Sequence, residues 1–239
     1  MNPESATAAV DGVVLLHGWG GSADSDWEVN GWCRSLARRG RTPLAVDLPG
    51  HGHRPQSHDP GDYADLASEI MAALPDGGRL DGIGFSLGAK VLLEIAARHP
   101  HRFRRLVAGG LGGNVFAPEP LGHELAGVLE TGDGAEAPAA VRELAQYGVG
   151  NGNDPLAMAA VLRRAANPLL TPDRLTRVRC PVLLVAGEND PVARPVQTLA
   201  DALPDARVRV LAGVAHLDLP ASAEFQRLAL AFLGAESAH

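Results

Sequence analysis

The chain lacks a cysteine framework. Its two cysteines, Cys33 and Cys180, stand far apart and without the paired spacing of a metal site, so neither a disulfide scaffold nor a zinc cluster is expected. Lysine is almost missing: Lys90 is the only one among 21 basic residues, which 28 acidic residues outnumber. A formal charge of -7 with no basic block argues against a nucleic-acid partner. No apolar run approaches the ~20 residues that cross a bilayer, and Met1 to Ala6 has neither the basic nor the apolar stretch of an export signal. These absences point to a cytoplasmic protein with two buried, reduced thiols. There is no internal repeat and no low-complexity segment, and Ala235 to His239 reads as a frayed tail. What remains is 239 residues, 46% apolar and 21% charged. That suits one α/β domain with a large core, with room for an insertion.

Short β-branched or leucine-rich runs alternate with helical patterns along most of the chain. Val13 to Leu16, Pro43 to Val46, Leu80 to Phe85, Leu106 to Ala108, Val182 to Val185 and Val208 to Leu211 read as strands. Helices are expected over Trp27 to Arg39, Tyr63 to Leu74, Leu87 to Arg98, Val192 to Leu203 and Ala221 to Leu233. This order predicts a mostly parallel, doubly wound sheet with helices on both faces. The alternation stops between Gly113 and Leu170. Leu121 to Leu129, Ala139 to Tyr147 and Leu156 to Ala165 look helical, separated by Gly, Pro and Asn clusters such as Gly148 to Pro155. Three consecutive helices exceed what one crossover needs. Residues 113–170 are therefore expected to form a short helical cap, inserted into a core made of residues 1–112 and 171–239. Such a cap would cover the strands' carboxyl ends, where open α/β sheets bind ligands.

The stretch Gly84-Phe85-Ser86-Leu87-Gly88 carries the most chemistry. A serine between two glycines follows a strand and opens a helix. That is the context of a nucleophile elbow: a turn too tight for flanking side chains, with the hydroxyl exposed and helix N–H groups beside it. A serine nucleophile needs a base, and the base needs an orienting acid. In strand–turn–helix hydrolases the order along the chain is Ser, then Asp or Glu, then His. Asp190 follows the strand Val182 to Val185, and Glu188 is the runner-up acid in the same loop. Asp190 would also serve as a turn or helix-capping residue. The loop Gly109 to Asn114 after the preceding strand has no carboxylate. Among the nine histidines, His216 follows the last strand within a few residues, downstream of both Ser86 and Asp190. The oxyanion needs aimed N–H donors. Leu87 N–H is one. The other is expected from His17-Gly18-Trp19-Gly20-Gly21, with Trp19 N–H chosen and Gly20 held in reserve.

Four blocks, HGWGG at 17–21, DLPGHG at 47–52, GFSLG at 84–88 and GEND at 187–190 with the later His216, make the chain resemble the α/β-hydrolase superfamily in its small esterase, lactonase and C–C hydrolase branch. The resemblance implies a triad of Ser86, Asp190 and His216 with an oxyanion hole at Trp19 and Leu87. It also implies that residues 113 to about 170 are the cap domain, and that Asp47 to Gly52 is a structural turn, which sets aside His51 and His53 as metal ligands. Few residues precede the first strand, so leading antiparallel strands are expected to be short or absent.

The chemistry implied is acyl transfer to water from a small or medium carboxylic ester, with no metal or organic cofactor required. Lactone, C–C bond and thioester hydrolysis and perhydrolysis use the same residues. A ligand-binding receptor or a non-hydrolytic biosynthetic catalyst would use only the pocket. Substrate identity and oligomeric state are not written in the sequence.

Overall fold

The computed structural model describes residues 11–117, 120–165 and 170–234. The frayed tail expected at 235–239, and all but one of the residues ahead of the first strand, lie outside that set. Among the described residues six strands form one sheet: β1 (Gly12–Leu16), β2 (Thr42–Val46), β3 (Leu80–Phe85), β4 (Phe103–Gly109), β5 (Val182–Gly187) and β6 (Ala206–Leu211). Every pairing is parallel, in the order β2-β1-β3-β4-β5-β6.

Strand parity explains the two-sided core. Successive side chains point to opposite faces. Val14 and Leu16 join Leu92, Leu106 and Leu184 in one buried cluster. Val13 and Leu15 join Ile83, Phe85, Val107 and Val185 in the other. The second face is sealed by Trp27, Trp32 and Phe225, whose rings meet edge-on with centroids 5.0 to 5.2 Å apart. Trp32 Nε1 donates to Pro220 O at 2.8 Å. At roughly 25 cal/mol per Å² of apolar surface, burying such rings is a dominant stabilising term.

The helices are α1 (Trp32–Ala37), α2 (Leu66–Ala73), α3 (Leu87–Arg98), α4 (Pro120–Thr131), α5 (Ala139–Gly150), α6 (Pro155–Arg163), α7 (Pro172–Leu175), α8 (Val196–Asp201) and α9 (Ala223–Gly234). Four begin later than the sequence pattern implies: α8 by four residues, α9 by two, and α1 and α2 behind turns of their own. A wide turn over Ala23–Glu28, closed by a reciprocal Ser22–Ser25 capping box, precedes α1. A 3₁₀ turn over Pro60–Tyr63 precedes α2, which Asp65 caps. In both places side-chain oxygens take up the backbone donors locally and interrupt the helix. No helix among the described residues is long and apolar enough to cross a membrane.

Helices α4, α5 and α6 stand between β4 and β5 in the chain. Leu125, Ala126, Val141, Met158 and Val161 lie in the same buried cluster as Val14, Leu16 and Leu92. These three helices therefore share the core of the sheet.

Candidate active site

The order in which successive strands are added reverses at β1 and β3, parallel neighbours although β2 separates them in sequence. Loops at such a switch point diverge and leave a crevice at the strands' carboxyl ends. The β1 loop carries His17 to Gly21, and the β3 turn carries Ser86. On the far side β5 pairs with β6, which brings the loops of Asp190 and His216 together.

Ser86 has φ 48° and ψ -116°, and it is the only non-glycine residue with positive φ among those described. Strain of this kind costs on the order of 1–3 kcal/mol and persists only where the surroundings enforce it. The flanking glycines show how. A Cβ on Gly84 would lie 2.5 Å from Ala89 Cα, and one on Gly88 would lie 2.3 Å from Leu16 O. Strand β3, helix α3 and the end of β1 touch backbone to backbone there. Ser86 N donates to Gly109 O at 2.8 Å and locks the turn to β4.

The three residues singled out from the sequence come together. Ser86 Oγ lies 3.1 Å from His216 Nε2, and His216 Nδ1 lies 2.8 Å from Asp190 Oδ2. A carboxylate only accepts, so Nδ1 carries the proton and Nε2 accepts from the serine hydroxyl. Asp190 is fully buried. Its other oxygen, Oδ1, accepts the N–H groups of Val192 at 2.9 Å and Ala193 at 3.0 Å. One side chain thus fills both expected roles, shaping the turn with Oδ1 and holding the imidazole with Oδ2. The helix that follows starts only at Val196, so this is a turn and not a helix cap. Glu188 is exposed and accepts from Gly213 N at 2.9 Å, which ties the acid loop to the histidine loop. Phe85 packs against the His216 ring with centroids 4.9 Å apart.

The β1 loop is held as firmly. His17 is fully buried; its Nδ1 meets Gly18 O at 2.7 Å and its Nε2 accepts Leu48 N–H at 2.9 Å. Those partners fix the neutral Nδ1–H tautomer, and burial pushes the His17 pKa down in agreement. Gly18 O also accepts Gly21 N–H at 3.1 Å. A peptide unit is planar and trans, so pinning Gly18 O aims Trp19 N–H the opposite way. The N–H groups of Trp19 and Leu87 meet no protein acceptor among the described residues.

His51 is buried, with Nδ1 on Pro49 O at 3.0 Å, and burial pushes its pKa down to about 3. His53 is exposed beside Asp47. Asp47 accepts Ala23 N at 2.7 Å and His53 N at 2.9 Å, which braces the 47–52 turn against the segment after the β1 loop. Cys33 and Cys180 are buried free thiols.

Three polar residues beside the site escaped the sequence reading: Asp26, Tyr147 and Asn153. Their contacts span 101 to 133 residues along the chain, beyond the reach of local pattern. The one available signal was the polar, glycine-rich Gly148 to Pro155 stretch, read there only as a separator.

A parallel sheet with a strained serine at the switch-point turn, facing a His–Asp pair on the far strands, is the architecture of an α/β hydrolase. The chain belongs to the alpha/beta hydrolase family, whose sequence model matches residues 13–229. It is similar to a pimeloyl-(acyl-carrier protein) methyl ester esterase of Aromatoleum aromaticum, with 35% identity over 231 residues that cover 82% of this chain and 87% of the relative. The solved structure of NosK from Streptomyces actuosus is 25% identical with a TM-score of 0.69, covering 92% of this chain and 96% of that one. MGS-M2, an alpha/beta hydrolase from a Medee basin deep-sea metagenome library, has a TM-score of 0.75 at 17% identity, with 100% and 94% covered, and shares the fold. The chain is a hydrolase of the carboxylic-ester kind, and the lactone, C–C and thioester alternatives are not favoured.

Proposed function

We propose that this hydrolase cleaves small to medium carboxylic esters through an acyl-enzyme, with Ser86 as nucleophile, His216 as base and Asp190 as orienting acid. The carrying observation is the continuous chain of contacts, Asp190 Oδ2 to His216 Nδ1 at 2.8 Å and His216 Nε2 to Ser86 Oγ at 3.1 Å, beginning at a strained serine. His216 takes the Ser86 proton as Oγ attacks the ester carbonyl. Trp19 and Leu87 N–H groups receive the oxyanion. The proton then passes from His216 to the leaving alkoxide. Water, activated by the same imidazole, releases the acid and restores Ser86. Asp190 holds the tautomer and stabilises the imidazolium. This sequence requires no cofactor. Residues 113–170 act as the cap, a reading supported by their contacts with the loops that follow β1 and β2. A cytoplasmic location is in keeping with two buried free thiols.

The relative's name specifies a carrier-bound ester. In this chain residues 113–170 hold three arginines against seven carboxylates, a net of -4 within the total of -7. A carrier protein of the same sign would meet like charge there; the substrate proposed is the free ester. Ser86→Ala is expected to abolish turnover of short p-nitrophenyl esters in a folded protein; unchanged turnover would reject the assignment. Comparing a free methyl ester with its carrier-bound form tests the substrate reading, which a clear preference for the carrier-bound form would overturn.

A further inference from the structure

The loop that carries Trp19 is gripped from two sides. From the core, His17 and Gly21 pin Gly18 O. From the insertion, Asn153 Nδ2 donates to Gly20 O at 2.7 Å and Asn151 Nδ2 donates to the same oxygen at 3.1 Å. Asn153 is 4% exposed. Its Nδ2 also donates to Gly148 O at 3.0 Å, and its Oδ1 accepts Gly52 N–H at 2.9 Å. One amide therefore joins the Trp19 loop, the end of α5 and the 47–52 turn. Behind it, Tyr147 OH donates to Asp26 Oδ1 at 2.8 Å, while Asp26 Oδ2 accepts Gly18 N–H at 3.3 Å. Asp26 is itself 3% exposed. Burial and the Asp26 charge raise the Tyr147 pKa, so the phenol stays a donor at every pH of interest.

The packing agrees with the hydrogen bonds. Gly20 has φ +77°, and a Cβ there would fall 2.9 Å from Gly148 Cα. The Trp19 indole donates to Met158 O at 3.3 Å. Trp19 thus sits between a peptide fixed by the core and a peptide fixed by the α5–α6 corner.

We propose that Asn153 and Tyr147, both from the insertion, are positioning residues that set the direction of the Trp19 N–H and so complete the oxyanion hole. The inference rests on the catalytic reading given above. Neither side chain has to touch substrate. Each acts through the loop: Asn153 through the Gly20 carbonyl, Tyr147 through Asp26 and the Gly18 amide. A donor misplaced by about 1 Å costs up to about a hundredfold in rate, and it costs mainly kcat, because the oxyanion exists only in the transition state. An insertion read only as a substrate cover would affect KM instead.

The test uses Tyr147→Phe and Asn153→Asp in the full chain, with Ser86→Ala as control. The readouts are kcat and KM on a p-nitrophenyl ester, the inhibition constant of a boronic acid that forms a tetrahedral serine adduct, and Tm. Expected are a fall in kcat of about ten- to a hundredfold, KM within about twofold, and a parallel loss of boronate affinity. Tyr147→Phe removes a single oxygen, so it carries the test alone if Asn153→Asp does not fold. Wild-type kcat and boronate affinity in a folded variant would overturn the inference, and an inactive Ser86→Ala beside it would leave the catalytic reading intact. Turnover retained by Ser86→Ala would overturn both.

Discussion

The two halves of the candidate site are built differently. Ser86, Asp190 and His216 stand on loops whose positions follow from adjacent parallel strands, with glycine contacts and an aspartate turn fixing the details within a few residues of each. The Trp19 loop is shared: one face belongs to the sheet, the other to the α5–α6 corner more than a hundred residues away. A nucleophile and base can be set by a rigid scaffold alone. Under the proposed reading, a donor aimed at transient charge is held by two segments that must meet correctly.

The predictions separate these halves, the largest first. Ser86→Ala should lower kcat on a p-nitrophenyl ester by about 10⁶, the scale set by loss of a serine nucleophile. Asp190→Asn should lower kcat by about 10⁴ with the fold intact, because the amide favours the wrong His216 tautomer; stopped-assay kinetics alongside circular dichroism check both. Gly20→Ala probes the shared loop. Its methyl would meet Gly148 backbone at 2.9 Å in a left-handed conformation. It should lower kcat by about ten- to a hundredfold through loss of loop register and reduce Tm; a variant with native kcat would show that the two segments need not touch.

The smallest effect is on stability against pH. His17 and His51 are buried with pKa values pushed below 6.5 by desolvation, His51 to about 3. Above pH 6.5 both rings are neutral whether folded or unfolded, so this contribution is then at its maximum. Below it the unfolded chain takes up protons that the folded chain refuses, and stability falls. His51 contributes a slope of about 1.4 kcal/mol per pH unit down to a pH of about 3, and His17 adds in the same direction. Urea unfolding between about pH 6.3 and 5 should be pH-dependent, and His51→Gln should remove the part due to that ring, a fall in slope of about 1.4 kcal/mol per pH unit. An unchanged slope in that variant would contradict the assignment of a buried neutral His51.

Much of this was legible in the sequence, and unevenly. The strands were readable because residues such as Val13 to Leu16 are buried on both faces and form an unbroken apolar run. Ser86 was readable because its glycines answer a local steric demand, and Asp190 and His216 because each follows its strand within a few residues. The starts of α1 and α2 were not, since Ser22 and Asp65 redirect the backbone by bonds that composition does not announce. Asn153, Tyr147 and Asp26 were hidden for a stronger reason. An asparagine in a glycine-rich loop looks solvated until the loop is seen pressed against Gly20 and Gly52.

The central claim is that Ser86 is the nucleophile, made reactive by His216. It is tested most directly by treating the intact chain with a serine-reactive phosphonate and mapping the adduct by mass spectrometry. One adduct is expected, on Ser86, absent from Ser86→Ala and greatly slowed in His216→Gln. An adduct on any other residue, or labelling that survives Ser86→Ala, would contradict it.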